Sequence, residues 1–167
     1  MSQQEFLELI KAHQALIHKV CHLYGHTDMD KQDLFQEIVI QTWKAYGTFR
    51  GESKFSTWLY RIALNTAISA YRKTKSRVST IAIDAVPLDF PASPYDSDKE
   101  EKLQQLYAAI AKLSEVERAI VMLYLDDKSY EEMEEVLGIN QNNLRVKMNR
   151  IKDKIRQLTK SEVYGTG

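Results

Sequence analysis

The feature that most constrains this chain is a short helical segment stopped by a glycine and followed at once by a strongly basic one, between Ser129 and Leu158. Ser129-Tyr130-Glu131-Glu132 has the pattern of a capping box: a hydroxyl for one orphan amide and a carboxylate three residues on that reaches back. It predicts a helix start. Leu137-Gly138 predicts the stop, because glycine takes the left-handed conformation that a helix end requires. Asn140 is then a suitable N-cap for a second helix, with Ile139 placed to staple onto Leu144 across the new start. The unit reads as helix, glycine-containing turn, helix.

The spacing predicts that the second helix runs from Gln141 to Thr159. Leu144, Met148, Ile151, Ile155 and Leu158 step by three and four residues, so one stripe faces a core. Arg145, Lys147, Arg150, Lys152, Lys154 and Arg156 occupy the remaining faces. From Gln141 to Lys160 there are seven basic residues and one acid, Asp153, a local net charge of +6. A basic second helix in such a unit suits the DNA major groove, where side chains near its N-terminus read base edges and later ones hold phosphates. The competing reading is a solvated charged face on an ordinary core helix.

The net charge of zero over 167 residues argues against a nucleic-acid partner only until it is resolved by segment. Residues 1–77 hold 11 basic and 7 acidic residues; residues 78–98 hold four aspartates and no lysine or arginine; the remainder balances at 12 each. Neutrality is an average over polarised pieces. All three prolines, Pro87, Pro91 and Pro94, fall in the acidic middle piece, which lacks helical periodicity and reads as an extended linker. The rest of the chain has helical periodicity, so the expectation is an all-α protein of two small helical domains joined by that linker. No apolar run approaches the ~18 residues of a membrane span, and no signal-peptide core is present. With Cys21 as the sole cysteine, no internal disulfide can form, and a cytoplasmic chain without membrane insertion is the simplest expectation.

Toward the N-terminus, Phe6, Ile10, His13, Ile17, Val20 and Tyr24 keep one helical period up to Gly25. A second helix is predicted after Asp30, with Leu34, Phe35, Ile38, Val39, Thr42, Trp43 and Tyr46 on a wide apolar face and Asp33, Gln36, Glu37 and Gln41 opposite. Taken alone, that polar strip is a solvated face. A loop from Phe49 to Thr57, ending in a helix cap, leads to a third helix reaching Lys75. Most of its circumference is apolar, and what remains is a strip of Trp58, Arg61, Asn65, Ser69 and Arg72 that faces outward. With Phe49 and Lys54 in the loop, this strip has the components of a site for single-stranded DNA: aromatics to stack on bases, an amide for a base edge, cations for phosphates. The alternative is that Trp58 and Phe49 belong to the core.

Catalytic readings find little support. His18, Cys21, His22 and His26 lie within nine residues and His18 and His22 share a helix face, but no second ligand pair accompanies them. Asp28, Asp30 and Asp33 read as the capped and solvated start of a helix, and Glu131, Glu132, Glu134 and Glu135 as helix-N-terminal charge. A Gly-rich phosphate loop and a nucleophile motif are both absent. No cofactor and no enzymatic activity are expected.

Asp33-Leu34-Phe35-Gln36-Glu37, then the run from Phe49-Arg50-Gly51-Glu52-Ser53-Lys54-Phe55-Ser56-Thr57 through Trp58-Leu59-Tyr60-Arg61-Ile62-Ala63, then Leu113-Ser114 and Ser129-Tyr130-Glu131-Glu132, resemble the extracytoplasmic-function (ECF) sigma factors of bacterial RNA polymerase, in the sigma-70 family. The resemblance covers nearly the whole chain in order and spacing. It implies a sigma-2 helical bundle over residues 1–76, the acidic linker over 77–98 and a sigma-4 helix-turn-helix domain over 99–161. It further implies that Asp33, Gln36, Glu37 and Gln41 dock on the beta-prime clamp helices of core polymerase. Phe49, Lys54, Trp58, Arg61, Asn65 and Arg72 would meet the opened minus-ten element, with Phe49 and Asn65 near a flipped base. Arg145, Lys147, Asn149, Arg150 and Lys154 would lie on the minus-35 element while the same domain binds the beta flap. Val146 and Asn149 depart from the family pattern of Ser and an aromatic or His. The resemblance also brings in an anti-sigma partner, and a nucleic-acid-mimicking role for Asp84, Asp89, Asp96 and Asp98. Two other classes stay open from the residues alone: a stand-alone helix-turn-helix regulator, and a helical interaction protein whose basic face is only solvated.

Overall fold

The computed structural model describes the backbone of residues 2–77 and 97–164 and the side chains of 2–75 and 99–160; among these residues there are eight helices and no strand. They form two compact helical units. The first contains α1 (Gln3–Ala12), α2 (Gln14–Tyr24), α3 (Asp28–Tyr46) and α4 (Phe55–Arg77).

The continuous helical period expected from Phe6 to Tyr24 is interrupted at His13, which leaves helical geometry at φ −116°, ψ 15°. Its backbone N–H still reaches the carbonyls of Leu9 and Ile10, and the Leu16 N–H returns to the His13 carbonyl at 3.2 Å. At the break the imidazole Nδ1 sits 2.9 Å from the Leu9 carbonyl oxygen, a side-chain partner beside the backbone one. The apolar face survives the interruption, with Phe6, Ile10, Ile17, Val20 and Tyr24 all buried.

Gly25 closes α2 where space, not dihedral freedom, demands glycine. A Cβ there would lie 2.6 Å from Lys31 Cγ and 2.9 Å from the Cys21 carbonyl oxygen. α3 then starts earlier than the sequence suggested. The Thr27 hydroxyl accepts the Asp30 N–H at 3.0 Å and the Asp30 carboxylate takes the Thr27 N–H at 3.3 Å, so Asp30 belongs to the first turn as the second half of a capping box. Leu34, Ile38, Thr42 and Tyr46 form the buried face, the Thr42 hydroxyl donating to the Ile38 carbonyl at 2.7 Å. Trp43, expected on that face, remains 45% exposed with one ring edge against Phe6.

α4 likewise begins at Phe55, ahead of the cap expected at Ser56-Thr57, and the Trp58 N–H already donates to the Lys54 carbonyl at 3.1 Å. Thr57 is buried, together with Leu59, Tyr60, Ala63, Leu64 and Ala67. Burying this face draws the first turn of the helix inward, which overrides the local preference of Ser and Thr for the cap position.

The proline- and aspartate-rich stretch lies outside the described residues from 78 to 96. α4 extends to Arg77 and α5 (Ser97–Ala111) already includes Asp98. Further along the chain α5 is followed by α6 (Glu115–Leu125), α7 (Tyr130–Leu137) and α8 (Gln141–Tyr164), and α5, α6, the start of α7 and α8 belong to the second unit. A capping box between Ser114 and Glu117 starts α6. The buried Arg118 turns back on α5, its Nε donating to the Leu113 carbonyl at 3.1 Å and its Nη2 to the Ala111 carbonyl. A cation thus satisfies carbonyls at the negative end of a helix. α6 ends in a Schellman turn: Asp127 takes φ 59°, its N–H donates to Tyr124, and the Lys128 N–H donates to Leu123.

Ser129 caps α7 through the Glu132 N–H at 3.1 Å, while the Glu132 carboxylate meets the Ser129 hydroxyl at 3.3 Å and Lys128 Nζ at 3.7 Å. α7 carries Glu131, Glu132, Glu134 and Glu135 and no basic residue. Gly138, at φ +70°, makes the turn, and Asn140 Oδ1 accepts the Asn142 N–H at 2.8 Å to open α8. α8 continues to Tyr164, past the expected end at Thr159. Leu144, Met148 and Ile151 are buried, whereas Ile155 and Leu158 are only half-buried, so the apolar stripe fades toward the end. No described helix is long and apolar enough to cross a membrane.

Candidate nucleic-acid interface

On α8 the polar faces carry Arg145, Val146, Lys147, Asn149, Arg150, Lys154 and Arg156, all exposed. Val146, one of the departures from the family pattern, is 50% exposed. The cations differ in how they are held. Arg145 lies over the Tyr130 ring at 5.0 Å and donates from Nη1 to Asn142 Oδ1 at 3.3 Å. Lys152 lies over Tyr124 at 4.9 Å, and Arg156 pairs with Asp153 at 3.4 Å. Lys147 and Arg150 have no ion-pair partner among the described residues.

Lys154 has a partner within the fold. Its Nζ donates to Glu117 Oε2 at 2.8 Å, joining α8 to the first turn of α6. The other carboxylate oxygen of Glu117 accepts the Ser114 N–H at 3.1 Å. Partial burial alone would raise the Glu117 pKa, but the hydrogen bonds from Lys154 and Ser114 and the lysine charge outweigh it and hold this carboxyl below the usual range. The sequence could not reveal this pair, because its members lie 37 residues apart.

In the first unit, Arg61, Asn65, Ser69 and Arg72 are exposed along α4 as expected. Trp58 is not simply outward. It is half-buried, 5.0 Å from Phe49 and 5.6 Å from Phe55, and the latter two rings meet edge to face at 5.7 Å. His13 closes the cluster, 5.0 Å from Phe55. Core and surface readings are therefore both partly met, in a half-buried aromatic platform with exposed Lys54 before it and Arg61 one turn after it. Phe55 is the member that the sequence reading left in the loop.

The polar strip of α3 divides between two grooves. Asp33 and Glu37, one turn apart, line a groove of about 300 Å³ with Tyr24, His26, Asp30 and Tyr71, whereas Gln36 lines another of about 410 Å³ with His18, His22, Asp28 and Lys31. Gln41 is half-buried and its Nε2 donates to Glu37 Oε1 at 2.8 Å. Ile40 is also exposed on this helix, an apolar residue that the sequence pattern did not single out. The histidine cluster takes on packing roles. His18 stacks on Phe35 at 4.7 Å, His26 tilts against Tyr71 at 6.0 Å, and burial pushes the Cys21 thiol up to about 12. Among the described residues no three His, Cys, Asp or Glu side chains gather as a metal site.

A helix-turn-helix with a basic second helix, in a chain whose other unit carries an aromatic and cationic surface, defines the class as a helical transcription protein. The family model described as Sigma-70 region 2 matches residues 9–77, and that described as Sigma-70, region 4 matches residues 103–155. The chain is 31% identical over 151 residues to the ECF RNA polymerase sigma-E factor of Escherichia coli K12, covering 83% of this chain and 79% of that protein. It is 27% identical over 172 residues to the ECF RNA polymerase sigma factor SigW of Bacillus subtilis 168, covering 93% and 89%. Among solved structures, the sigma factor RpoE in complex with the anti-sigma factor NepR from Bartonella quintana shares the fold at a TM-score of 0.77 and 19% identity, covering 94% of this chain and 98% of that one. CnrH in complex with the cytosolic domain of CnrY follows at 0.68 and 20%, covering 96% and 90%. The chain belongs to the ECF sigma factors of the sigma-70 family. It is an RNA polymerase sigma factor, a specificity subunit without a catalytic centre. The match of both units, in order, disfavours a stand-alone regulator.

Proposed function

We propose that this sigma factor divides promoter recognition between its two units while α3 attaches it to core polymerase. Asp33, Gln36, Glu37 and Gln41 would meet the beta-prime clamp helices. The exposed acids suit basic side chains of a partner, and the Gln41 hydrogen bond holds Glu37 in place. Phe49, Lys54, Trp58, Arg61, Asn65 and Arg72 would take the minus-ten element as it opens, the platform offering stacking surface and the cations holding backbone. Arg145, Lys147, Asn149 and Arg150 would engage the minus-35 duplex while the second unit binds the beta flap. Lys154 would join them only as a cation shared with Glu117. Unstacking DNA costs a few kcal/mol per step, which a base held outside the stack partly offsets, so opening needs no nucleotide hydrolysis by this chain.

The observation that supports this reading best is the exposed Asp33–Glu37 pair, one turn apart on α3 and lining one groove. Purified chain, core polymerase and a cognate promoter test it directly. The parent chain directs transcription from that promoter; Asp33→Ala with Glu37→Ala abolishes core binding in a pull-down and transcription with it, and full activity of the double variant would refute the docking assignment. Because core polymerase and chromosome share the cytoplasm, the chain would act there. Two of the solved structures that share this fold are complexes, that of the sigma factor RpoE with the anti-sigma factor NepR and that of CnrH with the cytosolic domain of CnrY, which supports an anti-sigma partner for this chain as well.

A further inference from the structure

One cation of the helix-turn-helix is held from two sides. The guanidinium carbon of Arg145 stands 5.0 Å from the centre of the Tyr130 ring, inside the ~6 Å range of a cation–π contact. From another side Nη1 donates to Asn142 Oδ1 at 3.3 Å. Both anchors are themselves placed by helix caps. Tyr130 opens α7 directly after Ser129, whose hydroxyl accepts the Glu132 N–H at 3.1 Å. Asn142 donates its backbone N–H to Asn140 Oδ1 at 2.8 Å. The two caps that define the turn therefore also place the groups that hold this arginine.

We propose that Tyr130 and Asn142 are positioning residues that orient Arg145 to read one base pair, a guanine, in the upstream promoter element. The proposal rests on the assignment of α8 to that element and deepens it. A free arginine samples many rotamers, all but a few of which are lost when its planar fork meets the two acceptors on the major-groove edge of guanine. Contact with the tyrosine face restricts the plane of the fork before DNA arrives. Asn142 takes a donor on Nη1, and the guanidinium has five in all, so enough remain for a bidentate base contact. The tyrosine acts through its ring, so phenylalanine should replace it.

Holoenzyme assembled from the full chain and core polymerase, with a promoter library randomised across the upstream element and scored by transcript yield, tests the proposal. Arg145→Ala flattens the preference at one base pair and identifies it. Tyr130→Leu lowers discrimination at that same pair by about two- to fivefold, the equivalent of an exposed cation–π contact, and leaves the rest of the profile intact. Tyr130→Phe retains the parent preference, Asn142→Ala gives a smaller loss at the same pair, and Tyr130→Leu added to Arg145→Ala changes the profile no further. Should Tyr130→Leu fail to fold, Asn142→Ala decides alone, since it leaves the Asn140 cap and Tyr130 in place. The proposal is overturned, with Arg145 keeping its role, if the variants leave that pair's preference at the parent value, lower all sequences evenly, or if Tyr130→Phe behaves as Tyr130→Leu. A profile unaltered by Arg145→Ala overturns the assignment of α8 and the proposal together.

Discussion

Asp127 ends α6 in the left-handed region at φ 59°, where its Cβ crowds the backbone, and it is the one non-glycine residue with positive φ among those described. The Schellman hydrogen bonds to Tyr124 and Leu123 hold it there. Asp127→Gly keeps both bonds and relieves the crowding. We expect a gain of about 0.5 kcal/mol after glycine's larger unfolded-state entropy is subtracted, read as a higher urea midpoint for the second unit. A lower midpoint would mean that the aspartate side chain contributes more at this turn than its backbone costs. Gly138 shows the same conformation already met by glycine, and that difference was readable: Leu137-Gly138 announced its turn, whereas nothing in Leu125-Asp126-Asp127-Lys128 distinguishes a strained residue from a solvated one.

At the scale of the helix, the Glu117–Lys154 pair joins α6 to α8, and its effect on stability depends on pH. The Glu117 pKa is lowered on folding, so the carboxylate contributes stability that is present above its unfolded-state pKa and is lost as pH falls through the folded-state value. Glu117→Gln should therefore be less stable than the parent near neutrality and converge on it in acid, so that its urea midpoint falls less as pH is lowered; parallel pH profiles of the two proteins would count against the pair. Periodicity made the helices themselves legible, since Leu144, Met148 and Ile151 or Ile17, Val20 and Tyr24 repeat at helical spacing and are buried. Events decided by a single side chain or by tertiary contact were not legible. His13 interrupts a period that continues through it, Thr57 is drawn into the core against its capping preference, and Lys154 finds its partner 37 residues away. The strip on α4 was legible as a strip, but its first member joins an aromatic cluster that includes Phe55 beside Phe49, and the helix boundary had hidden Phe55.

For the molecule as a whole, the two DNA surfaces proposed above would gain from being carried by one large enzyme, because tethering raises the effective concentration of each at its element. Alone, the chain should bind promoter duplex weakly, and its few phosphate contacts should make that binding less steeply salt-dependent than that of the holoenzyme, which alone shows sequence-specific occupancy; a gel-shift series between 50 and 200 mM salt, with and without core polymerase, checks this. Tight, specific binding by the free chain would count against the need for tethering. The glutamates along α7 add a kinetic consequence. A helix bearing four acids and no base stands directly before the basic α8, so, with α8 on duplex as proposed, DNA drifting in on the acidic side would be repelled during diffusion instead of being caught in a misaligned collision complex. Fewer encounters would then succeed in touching, and a larger share of those that do would arrive the right way round.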